Sequence, residues 1–122
     1  SSSNQRKLFK EEKKAEEILL ERAAHEKTIK IYNDFLEADG RHSIAGSVQH
    51  MEFQYEEYQN HIRPILYENI SCLHDEVIDL VLKIDGEISD RLFFMEGPFE
   101  NDTIIILYSE LYQTIVQYIK KG

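Results

Sequence analysis

The chain has 122 residues, of which 42% are apolar and 30% charged, and its net charge is −9. One domain of this length can bury about two thirds of the surface its unfolded chain exposes. Phosphate backbones recruit Lys and Arg, so 23 acidic against 14 basic residues argues against nucleic-acid binding, and a single cysteine excludes an internal disulfide and favours a reducing, cytoplasmic setting.

Five Gly and two Pro leave few turns, which favours a small number of long elements. The first is a helix over residues 5–39, built from Glu, Lys, Ala and Leu. Ile18, Leu20, Ala24, Ile31, Phe35 and Ala38 recur on it at helical spacing. Before Ile18 the apolar face nearly vanishes, so residues 1–17 read as a charged helical overhang and 18–122 as a single helical-bundle domain. The overhang holds RKLFKEEKK (Arg6–Lys14), with five basic and two acidic residues. Glu11 and Glu12 weaken it as a basic patch. Gly40 is placed to stop this helix in a left-handed conformation.

Ser43 is the expected N-cap of a second helix. Its stripe is Ile44, Val48, Met51, Tyr55, Tyr58, Ile62, with steps of four and three. Pro64 follows. As the first residue of a new helix its missing N–H costs nothing; inside a continuing helix it costs a hydrogen bond and forces a kink. A break at Pro64 is the expectation, although the stripe resumes in phase as Leu66, Ile70, Leu73, Val77, Leu80, Ile84, Ile88, Leu92, Met95. Gly86 is a weak point within that third helix, and Gly97-Pro98 ends it. Asn101 or Asp102 caps the last helix, whose stripe is Ile104, Tyr108, Leu111, Ile115, Tyr118. Lys120 and Lys121 complement its dipole. IIIL (Ile104–Leu107) alone resembles a strand, but the helical spacing beyond it absorbs it. The Thr103–Ile119 segment is interrupted by polar residues and reads as an amphipathic helix, not a membrane span.

The expected architecture is all-α, an antiparallel up-down four-helix bundle with a projecting N-terminal helix. The alternative is a long kinked helical hairpin that dimerises, formed if the helix runs through Pro64.

Chemistry finds little footing. His50, His61 and Cys72 share a helical face, but at steps of about 16 Å, far beyond a metal's reach. Only Glu57 and His61, at i and i+4, could share an ion. Carboxylates near Cys72 would raise, not lower, a thiol pKa. The spacing also lacks a phosphate loop, a nucleophile elbow and a zinc-protease motif. No catalytic, cofactor or metal residues are therefore assigned. A small enzyme or regulator using Glu57 and His61, or Cys72, is the alternative.

The favoured reading is a non-enzymatic interaction or scaffolding module acting through helix faces, with a protein partner or, more simply, a second copy. Leu8, Phe9, Tyr67 and Tyr112 fall off the core stripes and are the candidate interface residues. The chain opens on Ser1 rather than Met. An anchor upstream of Ser1, followed by Arg6-Lys7-Leu8-Phe9-Lys10, would place the module at the inner face of a membrane.

Overall fold

The computed structural model describes residues 2–46, 52–94 and 103–122. Within them the chain is all-α and no strand occurs. Helix α1 runs Ser2–His42, α4 runs Asp75–Phe94 and α5 runs Thr103–Lys121. Between α1 and α4 lies a segmented helix: α2 (Tyr55–Glu57), a π-turn (Tyr58–Ile62) and α3 (Arg63–Tyr67). A short 3₁₀ turn, Ile70–Cys72, completes the link. Val48, His50, Met51, Met95, Gly97-Pro98, Asn101 and Asp102, all invoked above, lie outside the described residues.

The first helix does not stop at Gly40. It continues to His42, and the left-handed position falls on Ser43, with φ 47°, whose N–H donates to the Asp39 carbonyl at 2.9 Å. Ser43 therefore ends α1 rather than capping a second helix. Among the described residues the next helix starts at Tyr55. Gly46, at φ 76°, supplies a second left-handed residue in the turn. Gln54 N–H donates to the Ile44 carbonyl at 2.7 Å, which pins the returning chain. Ile44 and Phe53 are both buried beside this turn.

Pro64 does not break the helix. In a regular α-helix its ring would press on the Asn60 carbonyl. Here the preceding turn is wide: the Arg63 N–H reaches back five residues to the Tyr58 carbonyl. Single π-turns of this kind let a helix absorb such an irregularity. The break comes later, at 68–74. Asn69 turns its side-chain amide onto the Ile65 carbonyl at 2.8 Å, and Leu73 is extended at ψ 153°. The expected continuity from Leu66 to Val77 is thus replaced by a 3₁₀ link, and the long hairpin does not form.

Helix α1 holds that link in place. The Thr28 hydroxyl donates to the Cys72 carbonyl at 2.6 Å, and Tyr32 bonds the backbone N–H of His74 at 2.9 Å. The core gathers Ile31, Tyr32 and Phe35 of α1, Ile62 and Leu66, Val77, Leu80, Val81, Ile84 and Ile88 of α4, and Ile104, Ile105, Tyr108, Leu111 and Ile115 of α5. Each such aliphatic side chain contributes about 1.5–3 kcal/mol on burial. α5 packs against both α1 and α4. α3 is tied to α4 by Asp85, which accepts from Arg63 at 3.4 Å through two nitrogens and from the Tyr67 hydroxyl.

Candidate functional site

Two regions stand out beyond the packed core among the described residues. One is the first part of α1. Residues 2–27 are exposed along their whole length, so exposure continues past Glu17 to Lys27, and the first buried residue is Thr28. At 1.5 Å per residue this projection is about 39 Å long. Leu8, Phe9, Ile18, Leu19 and Leu20 stand exposed on it. Its charges come in blocks. Residues 6–14 carry five basic against two acidic residues, and residues 15–26 carry four acidic against one basic. The acidic half escapes notice when the basic half is judged alone.

The other region is polar. The left-handed Ser43 and the Ile44–Gln54 bond fold the chain back so that α2 and the π-turn lie beside the end of α1. His42, the last residue of α1, then meets Glu57 and His61, which stand one turn apart. His42 Nδ1 lies 3.0 Å from Glu57 Oε2, and His61 Nε2 lies 3.6 Å from the same oxygen. The two imidazoles stack, with ring centres 3.6 Å apart and planes within 1°. The three side chains are 29%, 43% and 41% exposed respectively. Glu57 and His61 were paired by spacing alone. His42 was missed because it arrives across a reversal whose landing point no periodicity encodes.

The other singled-out residues take structural places. Cys72 sits in the 3₁₀ turn, half-buried against the core, with its thiol free. His74 lies between that turn and the start of α4. Its ring stacks on Tyr118, with centres 3.7 Å apart, and its Nδ1 lies 2.7 Å from the Tyr32 hydroxyl. Burial pushes Tyr32 up to about 12, so this hydroxyl keeps its proton at neutral pH. Tyr67 is engaged with Asp85, and Arg63 lies over its ring, 4.1 Å from the centre. Burial and the Asp85 carboxylate raise its pKa. Tyr112 lies at the core edge, its ring centre 6.3 Å from that of Phe35. Leu8 and Phe9 stand on the open projection.

Among the described residues, no helix is long and apolar enough to cross a membrane. Compared with known proteins, the chain matches no family model, no curated protein and no solved structure.

Proposed function

We propose that this chain is a non-enzymatic assembly module that joins two copies of itself through the projecting part of α1. The observation that carries this reading is the exposed stretch 2–27, with its five large apolar side chains and its two charge blocks of opposite sign. Charge complementarity selects the occupant and its direction. In an antiparallel pair the basic block 6–14 of one copy lies along the acidic block 15–26 of the other. A parallel pair would set like charges side by side. Antiparallel contact also covers Leu8 and Phe9 of each copy with Ile18, Leu19 and Leu20 of its partner. The remainder of the chain serves as a rigid mount. Its lone free cysteine supports a cytoplasmic setting.

Light scattering tests this with a charge reversal and its rescue. The native chain should run at twice its 14.4 kDa mass at low salt. Lys10→Glu/Lys13→Glu/Lys14→Glu should run as a monomer. Mixing it with the complementary Glu16→Lys/Glu17→Lys/Glu21→Lys variant should restore the doubled mass. A triple variant that remains dimeric would rule out charge-directed pairing.

A further inference from the structure

We infer that His42, Glu57 and His61 form a binding site for a divalent transition-metal ion of the zinc class. Two imidazole nitrogens and one carboxylate oxygen suit Zn²⁺ and its neighbours Co²⁺ and Ni²⁺, and do not suit the harder Mg²⁺ or Ca²⁺. The three ligand atoms lie within 4.8 Å of one another. Tetrahedral zinc with bonds of about 2.0–2.2 Å holds its ligand atoms about 3.3 Å apart. The two measured separations to Glu57 Oε2, 3.0 and 3.6 Å, bracket that value.

The ring arrangement states what must move. Parallel stacked imidazoles direct their nitrogen lone pairs along parallel planes, so at least one ring must tilt for both to meet one ion. Both rings are partly exposed, and the tilt meets little packing. The set comes from three elements, the end of α1, α2 and the π-turn, which the Ser43 reversal and the wide turn bring together. The wide turn also places His61 one helical step from Glu57 although Pro64 follows closely. Nearby, Arg41 is paired with Glu37 at 2.6 Å, which partly offsets its repulsion of a cation. Asp34 and Glu37 line the same open groove beside His42 and His61. Three protein ligands leave the fourth zinc position for water. Bound metal would clamp α1 to the segmented helix and stabilise the folded chain through mass action.

Calorimetric titration of the full chain with zinc chloride, after chelator treatment, tests the inference. Expected is one saturable ion per chain with a rise in the thermal midpoint, and with cobalt an absorption spectrum of low-coordinate form. Glu57→Gln and His61→Ala should each weaken binding tenfold or more. His25→Ala/His50→Ala, which keeps all three ligands, should bind as the native chain does. Glu57→Gln is isosteric at a surface position, and circular dichroism will confirm that it folds. Absence of saturable binding overturns the site. So does native affinity in Glu57→Gln and His61→Ala, or loss of binding in His25→Ala/His50→Ala.

Discussion

Tyr32 and Tyr58 are both fully buried, yet only one of their hydroxyls is satisfied. Tyr32 is hydrogen-bonded to His74 Nδ1 and accepts the His74 backbone N–H. Among the described residues the Tyr58 hydroxyl has no partner. An unpaired buried hydroxyl costs about 1–3 kcal/mol, whereas removing a satisfied one strands its partner. In urea titrations Tyr58→Phe should therefore leave the unfolding free energy unchanged or raise it, while Tyr32→Phe lowers it by about 1–3 kcal/mol. A Tyr58→Phe chain destabilised as much as Tyr32→Phe would refute this reading of the core. Alkaline behaviour follows from the same side chains. Burial raises Tyr32 to about 12, and burial with nearby Asp85 or Asp39 lifts Tyr58 and Tyr108 further. Unfolded tyrosines titrate near 10, so above that pH the unfolded chain releases protons that the folded chain keeps. This contribution is fully present below about pH 10 and is lost as pH rises through about 12. Denaturation midpoints followed by circular dichroism should fall steeply across that window. A flat profile there would contradict the assignment.

At the scale of elements, periodicity carried far but could not place the joints. On α4 and α5 the expected stripe residues Val77, Leu80, Ile84, Ile88, Ile104, Tyr108, Leu111 and Ile115 are all buried. Leu92 is not, standing 54% exposed near the end of α4. The link at 68–74 was invisible because a 3₁₀ turn, with three residues per turn, preserves the same i,i+3 spacing as an α-helix. The π-turn was invisible because the apolar step from Ile62 to Leu66 spans the proline itself. The end of α1 was misplaced because a left-handed serine took the role that glycine usually fills. The candidate site suffered in the same way: Glu57 and His61 were legible as a local pair, and His42 depended on the reversal. Two glycines within helices do behave as their position suggests. A Cβ added at Gly40 or Gly86 meets nothing within 4 Å. Gly86→Ala should stabilise the chain by about 1 kcal/mol, and Gly40→Ala by a similar amount. Calorimetric melting checks this through a rise of about 4 °C for each. No rise, or a fall, at Gly86 would show that α4 needs the glycine for some other reason.

For the whole molecule, the central feature is a helix of 41 residues of which only the last third is packed. An exposed helix of this kind gains little from surface ion pairs, each worth about 0.3–0.5 kcal/mol. Pairing with a second copy gives its apolar side chains a burial that the chain alone does not provide. The charge blocks centre an antiparallel pair on Ala15. Spin-label distances report that centre directly. In a chain carrying Cys72→Ser, a label at Ala15→Cys should meet its counterpart across a backbone separation of about 10 Å, the ordinary distance between packed helices. A label at Lys7→Cys should lie about 24 Å from its counterpart along the axis. Short distances at both positions would mean parallel pairing, and no dipolar coupling at either would mean that the projecting helix does not join two copies. Either result contradicts the proposed assembly.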